Sequence, residues 1–249
     1  MTSRRTVLVT GASRGVGRAV ALAFAATGDR IAVHHRASPE DAATVVAELA
    51  GSGHTSVQAD LADPAAVHTM VDQAAGILGS IDVLVNNAAA IIRSPILDSG
   101  YEEWQQAWRE SLDVNLIGAA NATWCAVRHM PAGGRVINVS SRGAFRGEPE
   151  HPAYGASKAG LNSFGQSMAV ALAPRNISVT GVAPGFIEPD ASNTDRKIPR
   201  GDEIRRQSPF GRIVTADEVA AAVVYLASPT AEFASGTIID LNGASYLRT

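Results

Sequence analysis

The sequence predicts an α/β fold, a doubly wound parallel sheet of about seven strands with helices on both faces. Three observations predict it. Short β-branched apolar runs recur along the chain, longer stretches with helical spacing separate them, and a glycine-rich turn joins the first run to the first helix. The runs cover residues 6–10, 30–34, 56–60, 82–86, 135–140, 178–183 and 237–241. Strands this short and this apolar belong to parallel sheets buried on both faces. Between them, Val16, Val20, Ala23 and Phe24 share one helical face, as do Val219, Val223 and Leu226. Strict alternation of the two patterns implies right-handed crossovers.

The 249 residues suit one domain, 1–249, large enough to bury a core without metals or disulfides. No linker, low-complexity tract or repeat divides them. Residues 188–207 interrupt the alternation with Pro, Asp, Asn, Arg and Lys. Ligands of such sheets bind beyond the carboxyl ends of the strands, so a long irregular segment directly after a strand reads as a substrate lid.

Composition excludes several classes. Twenty-one basic and 24 acidic residues leave a net charge of −3 without a basic run, which speaks against nucleic acid. The lone cysteine, Cys125, cannot form an internal bridge, and in its Ala- and Val-containing stretch it reads as a packed hydrophobe. The six histidines form no HExxH pattern, so no metal is expected. The apolar run 6–10 is too short for a signal-peptide core. No run approaches the ~20 residues of a membrane helix, and a soluble, cytoplasmic protein is expected.

The first strand leads into Thr10, Gly11, Ala12, Ser13, Arg14, Gly15, Val16 and Gly17. A tight turn needs the freedom of glycine, and a pyrophosphate needs close approach to backbone. The helix starting near Gly15 points free N–H groups at such a phosphate. NAD-preferring sites place an acid after the second strand to hold the ribose hydroxyls. Here His34, His35 and Arg36 stand there. Arg14 and Arg36 suit a 2′-phosphate, because a guanidinium binds phosphate through a planar fork. The expected cofactor is therefore NADP(H) rather than NAD(H). Asp60, with Leu61 after it, is placed to accept a hydrogen bond from the adenine amino group. Asp63 is the better candidate to cap the helix starting near Pro64.

Tyr154 and Lys158 stand four apart at the start of a stripe that continues through Leu161, Gly165, Met168 and Leu172. A phenol with a pKa near 10 is a poor acid or base at neutral pH. An adjacent ammonium and a cationic nicotinamide favour its ionised form. Lowering it by about three pKa units takes roughly 4 kcal/mol, within reach of two cations in a partly desolvated site. Tyr154 then exchanges a proton with a substrate oxygen. Ser141, thirteen residues earlier, is placed to hold that oxygen, with Ser140 as the adjacent alternative. Asn115 falls on the stripe of Trp104, Trp108, Ser111, Leu112 and Leu116. There it either holds a water beside Lys158 or is a satisfied core amide.

Together these residues resemble the short-chain dehydrogenase/reductase family, in its compact single-domain branch. The resemblance spans essentially the whole chain. It rests on residues 10–17, Asp60-Leu61, Asn86-Asn87-Ala88, Val114-Asn115-Leu116, Ser140-Ser141, Tyr154 through Lys158 and Pro184-Gly185, and on residues 217–228 and 237–243. It implies a Rossmann-type fold and a catalytic tetrad of Asn115, Ser141, Tyr154 and Lys158, with Lys158 also on the nicotinamide ribose. It implies that Asn87 and Ala88 lie beside the adenosine half of the cofactor, and that Ile187 anchors the nicotinamide carboxamide through its backbone. It further implies a homo-oligomer, tetramer or dimer, built on the helices around Asn115 and Tyr154. Two positions depart from the family pattern. Ala89 replaces a glycine, and its methyl is expected to shift the ribose. Pro189 replaces a threonine and offers neither hydroxyl nor N–H. The expected activity is hydride transfer between NADP(H) and a small-molecule carbonyl or alcohol. The rival reading is a catalytically idle NADP(H)-binding sensor or scaffold. Within the family the chain is similar to reductases of 3-oxoacyl chains on acyl-carrier protein, though the fold does not choose a substrate.

Overall fold

A computed structural model describes residues 4–188 and 201–248. Seven strands, β1 (Thr6–Val9), β2 (Arg30–His35), β3 (Thr55–Gln58), β4 (Val83–Asn86), β5 (Arg135–Val139), β6 (Ser178–Pro184) and β7 (Ile238–Leu241), form one sheet in the order β3-β2-β1-β4-β5-β6-β7. Every pairing is parallel. All seven predicted runs become strands, with ends moved by at most two residues. The order reverses between β1 and β4, and the crevice at such a switch point is where sheets of this kind bind ligands.

The helices are α1 (Gly15–Ala26), α2 (Pro39–Glu48), α3 (Pro64–Leu78), α4 (Tyr101–Leu112), α5 (Ala119–Ala126), α6 (Pro152–Leu172), α7 (Gly201–Arg206) and α8 (Ala216–Leu226). Proline opens α2, α3 and α6, where its missing N–H costs nothing. Asp63 caps α3 by accepting from the Ala65 and Ala66 N–H groups. Thr215 and Glu218 close a capping box on α8. A π-helical segment, Asp113–Gly118, joins α4 to α5.

The strand pleat divides the core into two layers. Val7 and Val9 face Phe24, Val45, Val219 and Val223 of α1, α2 and α8. Leu8 and Leu84 face Met70, Leu78 and Ala122 of α3 and α5. Phe24, Leu8 and Leu84 are fully buried, each worth about 1.5–3 kcal/mol of apolar transfer. Cys125 packs in the second layer, and burial pushes its thiol pKa up, as a packed hydrophobe requires. No described helix is long and apolar enough to cross a membrane, and no cluster of metal-ligating side chains occurs among the described residues.

One histidine fastens three elements. The Nδ1 of His34 accepts the Gly11 N–H at 2.9 Å, and its Nε2 lies 3.1 Å from the Ala59 carbonyl. The first contact needs a bare Nδ1, so the second is a donation from Nε2–H. The ring is therefore neutral, and burial holds its pKa down at about 4 against an ordinary 6.5. Between those values the unfolded chain takes up a proton that the folded chain refuses, so stability falls as pH drops from about 6.5 to 4. The term amounts to roughly 3 kcal/mol. In urea titrations across this window, His34→Asn is expected to show a shallower loss of stability than the wild type. Equal slopes would remove His34 from this role.

Candidate active site

The glycine turn after β1 is held from behind. Thr10 Oγ1 accepts the Asn87 and Ala88 N–H groups at 2.9 and 3.0 Å. Asn87 Nδ2 returns hydrogen bonds to the Thr10 and Gly11 carbonyls at 2.8 and 3.1 Å. Gly11 has φ +64°, and a Cβ there would lie 2.9 Å from the Ala88 Cα. At Gly17 a Cβ would lie 2.3 Å from the Gly11 carbonyl oxygen. Gly11 and Gly17 are thus required by packing inside the turn. Gly15 differs: its φ is +55°, yet a Cβ would meet nothing within 4 Å. That side of the turn is open.

The residues present fit a dinucleotide phosphate. No side chain caps α1 at Arg14, so its first-turn N–H groups point outward without a side-chain acceptor. Ser13 is half-buried in the turn, and Val16 packs against the first core layer. Arg14 and Arg36 are exposed, and among the described residues neither has a carboxylate partner. Asp60 is exposed just beyond β3. Its Oδ1 accepts the Ala62 N–H at 3.0 Å, and helix capping is left to Asp63, as the sequence predicts. Leu61 is buried in the second layer. Ala89 is exposed and lacks a positive φ, so its backbone conformation does not demand glycine. Asn87 and Ala88 do border the turn, but the Asn87 amide is spent on the turn's own carbonyls and positions backbone.

On the other side of the switch point, β5 ends at Val139 and leads into Ser140 and Ser141. The structure separates the two serines. Ser140 is buried and its hydroxyl turns to the Lys158 carbonyl. Ser141 Oγ accepts the Gly143 N–H at 3.0 Å, and the Ser141 hydroxyl acts on the Tyr154 phenol, pulling its pKa down. Tyr154 and Lys158 sit one turn apart at the start of α6, with Lys158 Nζ 5.9 Å from the Tyr154 ring centroid. Lys158 is 2% exposed and donates to the Val139 carbonyl at 2.7 Å. Burial lowers its pKa to about 8, so the ammonium form still prevails at neutral pH.

The chain's own groups act on the Tyr154 phenol in opposite directions. Burial pushes the Tyr154 pKa up, the Ser141 hydrogen bond pulls it down, and the Glu148 carboxylate pushes it up again; the net direction is up. The Lys158 ammonium donates to the Val139 carbonyl and stands one helical turn from the phenol ring.

Asn115 lies in the π-helical segment and is 1% exposed. Its Oδ1 accepts the Ala90 N–H at 2.7 Å, and its Nδ2 donates to the Ala90 carbonyl and to Ser157 Oγ, each at 2.9 Å. Both amide hydrogens are used, so the side chain ties the loop after β4 to α6. Of the two readings of this residue, the satisfied amide matches the hydrogen bonds of its side chain. π-Helical insertions do, however, concentrate at functional sites.

Beyond β6, Pro184 is buried and Gly185 donates to the Leu241 carbonyl. Ile187 bridges to Val214 through the Glu188 N–H, which leaves the Ile187 N–H outside that bridge. Pro189 and the charged residues Asp190, Asp195, Arg196, Lys197 and Arg200 lie outside the described residues. The sequence reading missed His34 as a fastener of the glycine turn and Arg142 as a buried neighbour of Ser141. A histidine in a buried strand and an arginine directly after the serine pair were the available signals.

A family model described as enoyl-(acyl carrier protein) reductase matches residues 11–243. The chain is 37% identical to the 3-oxoacyl-acyl-carrier-protein reductase of Staphylococcus aureus, over 99% of this chain and 100% of that protein. It is 34% identical to the versicolorin reductase of Emericella nidulans, over 97% and 96%. A short-chain dehydrogenase from Burkholderia cenocepacia, solved in complex with NADP, superposes with a TM-score of 0.86 at 34% identity, covering 97% of each chain. With the glycine turn, the Ser141–Tyr154 contact and Lys158 all set along one sheet edge, the chain belongs to the short-chain dehydrogenase/reductase family.

Proposed function

We propose that this protein is an NADP(H)-dependent oxidoreductase acting on a small-molecule carbonyl or alcohol, with Tyr154 as general acid and base. The observation that carries the proposal is the buried Lys158, its Nζ 5.9 Å from the Tyr154 ring centroid one turn along the same helix, with the Ser141 hydroxyl near enough to the phenol to pull its pKa down. NADP(H) supplies the hydride, or takes it up, at the substrate carbon. The substrate oxygen then sits between the Ser141 hydroxyl and the Tyr154 phenol, which donates its proton as negative charge develops. A phenol is protonated at neutral pH, so Tyr154 holds the proton that a general acid must deliver. The Lys158 ammonium stabilises the phenolate left behind. Asn115 holds α6 in place through Ser157, whose hydroxyl donates to the Tyr154 carbonyl at 2.7 Å. Its role is positioning.

For the cofactor, Arg14 and Arg36 receive the 2′-phosphate, and the first turn of α1 receives the pyrophosphate. Complexes with NADP and NADPH among related structures support this reading. Lys158 holds the nicotinamide ribose, and the free Ile187 N–H suits the carboxamide. The lid is assigned to residues 188–207, of which Glu188 and 201–207 are described. The 37% identical 3-oxoacyl reductase relative makes a 3-oxoacyl chain one candidate substrate.

The proposed homo-oligomer, tetramer or dimer, is supported by an apolar groove of about 630 Å³ on the outer faces of α3, α5 and α6, where Trp124, Phe164, Met168 and Leu172 meet. A second copy of the chain covers it. Light scattering on Trp124→Glu is expected to show a smaller assembly than the wild type. An unchanged mass would place the interface elsewhere.

Tyr154→Phe is expected to lower kcat at least about a hundredfold while NADPH affinity stays within a few-fold, read by NADPH oxidation and fluorescence titration. Retained turnover would remove Tyr154 from its role. Tight NADPH binding without turnover of any ketone or quinone by the wild type would favour the sensor reading. Arg36→Ala is expected to weaken NADPH binding about tenfold and NADH binding much less. Equal losses would move the 2′-phosphate away from Arg36.

A further inference from the structure

Ser141 is followed by a short 3-10 turn, Arg142–Ala144, and two cations, Arg142 in the turn and Arg146 just beyond it, lie on this loop. Arg142 is only 5% exposed. Its Nη1 donates to Gln207 Oε1 at 3.1 Å and to Ser245 Oγ at 2.7 Å, and its guanidinium lies 5.2 Å from the Phe186 ring centroid. Arg146 Nη1 donates to the same Gln207 Oε1 at 3.0 Å. Two guanidinium groups therefore converge on one neutral amide oxygen. Among the described residues neither has a carboxylate within ion-pair distance. Glu148, on the same loop, packs against Gly143 and does not reach either guanidinium to form an ion pair. Burial, and then the charge of Arg146, disfavour the charged form of Arg142, while the Glu148 carboxylate, beyond ion-pair distance, partly favours it.

Neighbouring arginines are treated differently. Arg205 meets Glu188 at 3.5 Å and Asp202 at 3.7 Å, and Arg212 meets Glu218 at 2.5 Å. Buried charges are ordinarily paired, since an uncompensated one carries a large desolvation cost. Convergent guanidinium donors match the planar, charge-assisted geometry of a carboxylate far better than that of a single amide oxygen. The shared acceptor, Gln207, directly follows α7 within the segment assigned as the lid, and Arg142 directly follows the serine that touches the Tyr154 phenol.

We infer that Arg142 and Arg146 receive a carboxylate carried by the substrate, which displaces the Gln207 side-chain oxygen from between them. The inference rests on the proposed reductase reading and deepens it: the substrate is an oxo acid, or its hydroxy-acid counterpart, whose acid group lies on the Arg142 side of the reacting carbon. Arg142 and Arg146 are then specificity-determining residues, and Gln207 is the neutral group that holds their donors when no carboxylate is between them.

The test compares 3-, 4- and 5-oxo acids with their methyl esters in NADPH oxidation at constant pH. For at least one chain length the wild type is expected to favour the acid about tenfold in kcat/KM, mainly through KM. Gln207→Glu places a built-in carboxylate between the two arginines, and Arg146→Gln removes one cation at a half-buried position. Both are expected to bring the acid-to-ester ratio close to one. Gln207→Glu should also raise the melting temperature, but a purely structural role would raise it as well, so the ratio decides. A wild-type ratio near one at every chain length, or a ratio unchanged in both variants, overturns the inference. If no carbonyl compound is turned over, the reductase reading fails on its own. The inference is then judged by thermal shift with hexanoate in the presence of NADPH. A shift in the wild type that Gln207→Glu abolishes sustains the carboxylate site, and no shift in the wild type overturns it.

Discussion

The structure depends on a parallel sheet buried on both faces. Val7, Leu8, Val9, Val83, Leu84 and Val85 have no exposed surface, and their alternation sends one set of side chains into each helical layer. Such a sheet has no room for chemistry along its length. Polar function is confined to the carboxyl edge, where β1, β2, β5 and β6 release their chains into the glycine turn, the His34–Arg36 segment, the Ser140–Ser141 pair and the Pro184–Ile187 turn. The reversal of strand order between β1 and β4 opens the crevice that these segments border.

Around that crevice the polar side chains divide into those that build the site and those left available to it. Thr10, His34, Asn87 and Asn115 use their hydrogen bonds on backbone or on neighbouring side chains. They hold the glycine turn, the loop after β4 and the start of α6 in fixed relation. Ser141 stands beside the Tyr154 phenol, and Arg14 and Arg36 face solvent without a carboxylate partner among the described residues. The second group does the proposed chemistry because the first group keeps it in place.

The tyrosine shows how position changes a chemical expectation. Spacing sets an ammonium beside a phenol, and the two cations of lysine and nicotinamide together predict a lowered pKa. In the folded protein burial dominates and the phenol pKa rises, while Lys158 donates to the Val139 carbonyl. A protonated tyrosine matches the reducing direction, in which a proton must be delivered to the substrate oxygen. Directly after Ser141 in the chain, Arg142 converges with Arg146 on the Gln207 side-chain oxygen.

The sequence by itself determined the strand and helix alternation, the glycine turn, the Tyr154–Lys158 spacing and the family resemblance. Each of these is written in local order: a period of two or four, a positive-φ glycine, a proline at a helix start. Tertiary structure decided which of two adjacent serines meets the phenol, that Asn115 is saturated by Ala90 and Ser157, and that His34 bridges Gly11 to Ala59. It also decided that Arg142 and Arg146 converge on Gln207, 65 and 61 residues away. Contacts of that kind depend on how crossovers bring distant segments to one sheet edge. Burial then sets the protonation of His34, Tyr154 and Lys158, and burial is a property of the packed chain as a whole.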